Sequence, residues 1–72
     1  MPNLTEVVLA DSVEEVRNYA FKNSTALTTI NLENVARINE GAFYGCSSLT
    51  DVNLSSFVTV GDWAFAHSGI TP

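Results

Sequence analysis

Leu27-Thr28-Thr29-Ile30-Asn31-Leu32-Glu33-Asn34-Val35-Ala36-Arg37-Ile38-Asn39-Glu40-Gly41-Ala42-Phe43 is the stretch that decides the fold, because it recurs. Its first six residues follow the pattern L-T-x-V/I-x-L. The same pattern stands at Leu4-Thr5-Glu6-Val7-Val8-Leu9 and at Leu49-Thr50-Asp51-Val52-Asn53-Leu54. The closing Ala42-Phe43 pair returns as Ala20-Phe21 and Ala64-Phe65, 22 residues away on either side. A fixed period in the twenties marks stacked supersecondary units, each burying its apolar face only against its neighbours. The repeats run over 4–26, 27–48 and 49–69, and residues 70–72 begin a fourth. The whole chain, 1–72, reads as one repeat domain.

The columns agree beyond these two landmarks. Val13, Val35 and Phe57 share one register, and Val16, Ile38 and Val60 another. The first repeat is longer by one residue: Leu9 to Val13 spans four steps, where Leu32 to Val35 and Leu54 to Phe57 span three. Alternation with Thr, Val and Ile predicts a short strand over each L-T-x-V/I-x-L segment. Turn-forming residues follow at Ala10-Asp11-Ser12, Glu33-Asn34 and Ser55-Ser56. Next come Val13–Val16, Val35–Ile38 and Phe57–Val60, read as a second extended segment. A short helical turn is expected around Ala-Phe, with Asn18 and Asp62 as caps. The predicted fold is therefore α/β, a right-handed solenoid of three coils.

This arrangement resembles the BspA-like (treponemal-type) leucine-rich repeats. Their pattern is roughly L-x-x-I/V-x-L/I-P-x-x-V/I-x-x-I-G-x-x-A-F-x-x-C-x-x-L. The middle repeat follows it through Leu27, Ile30, Leu32, Val35, Ile38, Gly41-Ala42-Phe43-Tyr44-Gly45-Cys46 and Leu49. There are departures. The family's proline is Ala10, Glu33 and Ser55 here, its glycine survives only as Gly61, and its cysteine only as Cys46, with Ser24 and Ser68 opposite. The resemblance implies a surface or secreted binding or adhesion module without catalysis, an inference from fold-level analogy. No basic start followed by an apolar stretch marks a signal peptide.

Composition excludes several function classes. The net charge is −5, and Arg17, Lys22 and Arg37 are the only lysine or arginine residues. Nucleic-acid binding rests on such cations, so no nucleic-acid partner is expected. No apolar run approaches the ~20 residues of a membrane span, so no membrane insertion is expected. No catalytic residue is assigned. His67 lies where Asn23 and Gly45 stand in the other repeats, and reads as a surface residue. Cys46 shares its column with Ser24 and Ser68, and reads as a small packing residue. Cys46 and His67 alone fall short of the three or four ligands of a zinc site, so neither metal nor cofactor is expected. The acidic residues occupy positions of the repeat that point to water.

Two surfaces are left for function. On the strand face, outward residues form ladders of Thr5-Thr28-Thr50, Glu6-Thr29-Asp51 and Val8-Asn31-Asn53. With strands ~4.8 Å apart these make a regular polar array for a protein or glycan ligand. The second surface is the pair of solenoid ends. Leu4, Val7 and Leu9 are expected bare at one, and Leu49, Val52, Leu54 and Phe57 at the other, where Ile70-Thr71 begins a fourth unit that is expected to cover the last coil only in part, with Ile70 a further interface candidate. Such ends invite head-to-tail contact with another copy, or a capping subunit. Trp63 reads equally as an interface residue and as a shield for the core's edge, whereas Tyr19 and Tyr44 read as shields. Two functions follow: a non-enzymatic structural or interaction repeat that self-assembles, or a small adhesion module binding through its strand face.

Overall fold

Segments that repeat in sequence pair with one another in space. The computed structural model describes residues 3–70 and contains five two-residue strands. They are β1 (Glu6–Val7), β2 (Glu15–Val16), β3 (Thr29–Ile30), β4 (Arg37–Ile38) and β5 (Thr59–Val60). Every pairing is parallel: β1 lies beside β3, and β4 lies between β2 and β5. The register records the extra residue of the first repeat. Glu6 faces Thr29, an offset of 23 (29 − 6), while Glu15 faces Arg37 and Arg37 faces Thr59, an offset of 22.

Where the offset changes, a side chain takes over from the ladder. Leu32 bridges Leu54 between the second and third repeats. Between the first and second, the Asn31 amide performs this task. The Leu9 N–H donates to Asn31 Oδ1 at 2.6 Å, and Asn31 Nδ2 donates to the Leu9 carbonyl at 2.9 Å.

The expected helical turn is not formed, and the described residues contain strands and turns only. The reason lies in where the amides go. The N–H groups of Tyr19, Phe21 and Asn23 donate to the carbonyls of Glu40, Ala42 and Tyr44 at 2.9, 2.8 and 2.7 Å. Those of Gly41, Phe43 and Gly45 donate onward to Asp62, Ala64 and Ala66 at 3.0, 2.7 and 2.9 Å. The intervening amides close tight turns, Ala20 to Arg17, Lys22 to Tyr19 and Ser24 to Phe21. An α-helix would need these successive amides for its own i→i−4 ladder. The alternating pattern instead ties each repeat to the next. It requires two left-handed residues per repeat: Tyr19 and Asn23 (φ 56° and 61°), Gly41 and Gly45 (62° and 76°), Trp63 and His67 (62° and 57°). Asn18 and Asp62 thus have no helix to cap.

The third repeat departs from the register in two places. Its Leu49–Asn53 segment forms no strand, and only Leu54 makes a bridge. Its turn also slips by one residue. Val13 donates to Ala10 and Val35 to Leu32, but in the third repeat Val58, rather than Phe57, makes the bond, to Ser55. Ser55 Oγ donates to the Val35 carbonyl at 2.9 Å and fixes that arrangement. Val58 therefore packs on the core and Phe57 turns outward, 63% exposed.

The core belongs mainly to the second repeat. Leu27, Leu32, Val35, Ile38, Phe43, Cys46 and Leu49 are all fully buried. Phe43 lies between two parallel rings, 5.4 Å from Phe21 and 5.2 Å from Phe65. A stack spaced in this way adds to the area each ring buries.

Candidate interaction surfaces

The strand face carries the ladders, but not all of them are free. Thr5, Glu6, Val8, Thr28, Thr29, Thr50, Asp51 and Asn53 are exposed. Asn31 is half-buried, and both ends of its amide are taken by the Leu9 backbone, so it fastens two repeats instead of facing a ligand. Thr28 Oγ1 is likewise engaged, donating to the Thr5 carbonyl at 3.1 Å. Leu49–Asn53 forms no strand beside β3, and a hollow of about 360 Å³ lies between the two segments. It is lined by Thr28, Thr29, Glu33, Asp51 and Asn53 among others. Its two carboxylates make it acidic.

The ends are unequal. Leu4, Val7 and Leu9 of the first repeat are half-buried. Leu49, expected at the open end, is fully buried, and Gly69 lies against its backbone carbonyl. Ile70 packs on the core, as does the half-buried Val52. The exposed apolar edge consists of Leu54, Phe57 and Val60, at 40, 63 and 44%. Their counterparts Leu32, Val35 and Ile38 are buried beneath the third repeat. At the opposite side of this sheet, on β2, Glu15 accepts a hydrogen bond from Asn39 Nδ2 at 2.8 Å and lies 3.7 Å from Arg37 and 4.0 Å from Arg17. The Asn39 bond above all, helped by the two guanidinium groups against some desolvation, holds the Glu15 carboxyl below its ordinary range.

A third surface lies on the turn segments, and sequence reading treats its residues only singly. Tyr19, Lys22, Glu40, Tyr44 and Trp63 line an open groove of about 340 Å³. The Tyr19 ring lies over Gly41, whose missing Cβ leaves the space for it. Tyr19 Oη donates to Glu40 Oε2 at 2.9 Å, which raises the phenol above its ordinary pKa. The Lys22 ammonium sits 5.4 Å from the Tyr19 ring centre and 5.7 Å from that of Tyr44. Tyr44 also meets Trp63 at 6.4 Å and the edge of His67 at 5.2 Å. The legible signal was the column Tyr19-Gly41-Trp63: a glycine aligned with two aromatics points to a positive φ rather than to a core position.

Reactive groups are dispersed. Cys46 is buried and donates to the Phe21 carbonyl at 3.1 Å, and burial raises its thiol pKa, which suppresses the nucleophilic thiolate. Its counterpart Ser24 is buried with no partner for its hydroxyl among the described residues. His67 is exposed. Among the described residues no three His, Cys, Asp or Glu side chains converge as a metal site would require.

Comparison with known proteins agrees with this geometry. A profile described as a BspA type leucine rich repeat region (6 copies) matches residues 1–72. The chain belongs to the BspA-type leucine-rich repeat family. The profile covers six copies, whereas the repeats read above number three. The fold is similar to the crystal structure, at 1.19 Å resolution, of a leucine-rich repeat protein from Bacteroides ovatus ATCC 8483. The TM-score is 0.86 at 27% identity over 97% of this chain. This BspA-type chain spans 21% of the length of that protein. None of the curated proteins matches it. Membership carries a general expectation of protein interaction or structural work. No helix among the described residues is long and apolar enough to cross a membrane.

Proposed function

We propose that this domain, residues 1–72, is a non-catalytic interaction module that works by repeat stacking at its third-repeat edge. The observation that carries this reading is the contrast between Leu54, Phe57 and Val60, exposed, and Leu32, Val35 and Ile38, buried by the repeat that follows them. One more repeat on that edge would give the third repeat the cover the second already has. Further repeats of a longer array or another copy can supply it. The winding is taken as a right-handed solenoid of three coils, since parallel crossover connections are right-handed in about 98% of cases. Stacking of copies joins unlike ends, so it extends into a filament or closes into a ring. The half-buried Leu4, Val7 and Leu9 offer the complementary apolar surface.

The test is light scattering of the purified chain across a dilution series, beside Leu54→Lys and Val60→Lys. Association is expected for the parent, and the lysines should abolish it by placing an unpaired charge at the joint. A parent that stays monomeric at every concentration, with no particles in electron micrographs, rules out stacking of copies. A second reading then leads: a protein or glycan ligand on the strand face. The hollow between Thr28-Thr29 and Asp51-Asn53 favours it, because it offers hydroxyl, amide and carboxylate groups in one place. Adhesion and a place on the cell surface belong to this second reading.

A further inference from the structure

We propose that the groove over Gly41 is a binding site for an alkylated ammonium cation, of which a trimethylammonium group is the simplest form. Its walls are three aromatic rings, Tyr19, Tyr44 and Trp63, and a carboxylate, Glu40. Aromatic faces attract cations, tryptophan most strongly, and several rings around one cation make a cage. The structure already places a cation there: the Lys22 ammonium lies within 6 Å of two ring centres, at 5.4 and 5.7 Å. Lys22 is exposed and its primary ammonium is strongly hydrated. A trimethylammonium group, with no N–H to solvate, gives up less water on entering and can displace it. Glu40 adds negative charge and steadies the Tyr19 ring through the phenol bond of 2.9 Å. The chain's net charge of −5 favours approach of a cation and opposes that of a phosphate.

The turn ladder requires a left-handed residue in this column, so what needs explaining is the choice of aromatics there over glycine. Tyr19 and Trp63 hold φ of 56° and 62°, a region bulky side chains rarely occupy. Gly41 fills the same column at no such cost. Burial does not account for the aromatics, since Tyr19 is 48% and Trp63 64% exposed. Keeping exposed aromatics where glycine would serve without strain favours a role beyond closing the turn. Trp63 also stands in the left-handed column of the third repeat, so a repeat stacked on that edge would share this residue with the groove.

Trp63 is the only tryptophan, so its fluorescence reports on the groove. The chain is titrated with choline chloride and, at matched salt, with 3,3-dimethylbutan-1-ol, the neutral isostere. A saturable change with choline and none with the isostere is expected. Lys22→Met should bind choline roughly fivefold tighter, and Tyr44→Leu roughly fivefold weaker, with circular dichroism confirming that both fold. By calorimetry Trp63→Gly should lose choline binding while melting no lower than the parent. Phosphatidylcholine vesicles, run in parallel, separate a lipid-borne group from a soluble one, and binding to either supports the site. An equal response to the neutral isostere, no saturable response to choline, or a response to methyl glucoside in its place overturns it.

Discussion

Phe43 and Phe57 present the same side chain in opposite situations, and truncating each tests the packing. Phe43 is fully buried between Phe21 and Phe65, with ring centres 5.4 and 5.2 Å away. Removing a buried phenylalanine ring costs about 3–5 kcal/mol. A chain of 72 residues is expected to hold about 4–11 kcal/mol in all, so Phe43→Ala should remove from about a quarter to all of that stability. Phe57 is 63% exposed, and its truncation should cost less than about 0.5 kcal/mol. The sequence columns argue otherwise, aligning Phe57 with the buried Val35. What separates the two accounts is the slipped turn that pairs Val58 with Ser55. Equilibrium unfolding in urea, followed by far-ultraviolet circular dichroism, measures both variants. Equal, large losses would show that Phe57 occupies the core column and that the slipped turn is not the native one. Equal, small losses would remove the aromatic stack itself.

Two further outcomes can be measured with the same assay. Asn31→Leu should cost about 1–3 kcal/mol, because it leaves both the N–H and the carbonyl of Leu9 without the partners they have at 2.6 and 2.9 Å, and Thr29→Ala on the exposed face should cost much less. Glu15 has a folded pKa below its unfolded value of 4.5, so its contribution is present above pH 4.5 and is lost as pH falls through the lowered pKa. Removing the chief cause with Asn39→Leu should flatten that acid limb, and an unchanged slope below pH 4.5 would deny the link.

Periodicity made the stack of phenylalanines, the core columns up to the third repeat's exposed Leu54, Phe57 and Val60, and the extra residue of the first repeat legible in advance. All three rest on apolar residues recurring at a fixed interval, and apolar burial is what periodicity records. The turn segments were misread for a related reason. Ala-Phe flanked by polar residues suits a turn of helix locally, and its preference is overridden by bonds to the next repeat. Such a ladder leaves no mark in the hydrophobic pattern. The mark it does leave is Gly41 and Gly45, four residues apart like the left-handed pairs Tyr19–Asn23 and Trp63–His67. Asn31 was read as a ligand residue because its position alternates outward. Its amide turns back to the Leu9 backbone because the insertion before Val13 breaks the strand register there. The aromatic groove escaped because no single column supplies it: Tyr19 and Trp63 share one with Gly41, and Tyr44 shares another with Lys22.

The left-handed columns also set a condition on stacking. A Cβ on Gly41 would collide with the Tyr19 ring, and one on Gly45 with the Asn23 side chain. A large residue at either column thus reaches over the following repeat and is met there by glycine. Trp63 and His67 stand in the same columns of the third repeat with the same backbone sign. A repeat docking on the exposed edge is accordingly best matched when it carries glycine at both positions. The first repeat of a second copy carries Tyr19 and Asn23 instead, so two such side chains must be shifted for copies to join. The double variant Tyr19→Gly/Asn23→Gly should therefore associate at lower concentration than the parent, although it forfeits the Tyr19–Glu40 hydrogen bond. Light scattering on both chains decides the matter. If the glycine variant associates no better than the parent, the side chains of these columns do not govern the joint. Stacking would then have to be explained by the Leu54, Phe57 and Val60 edge alone.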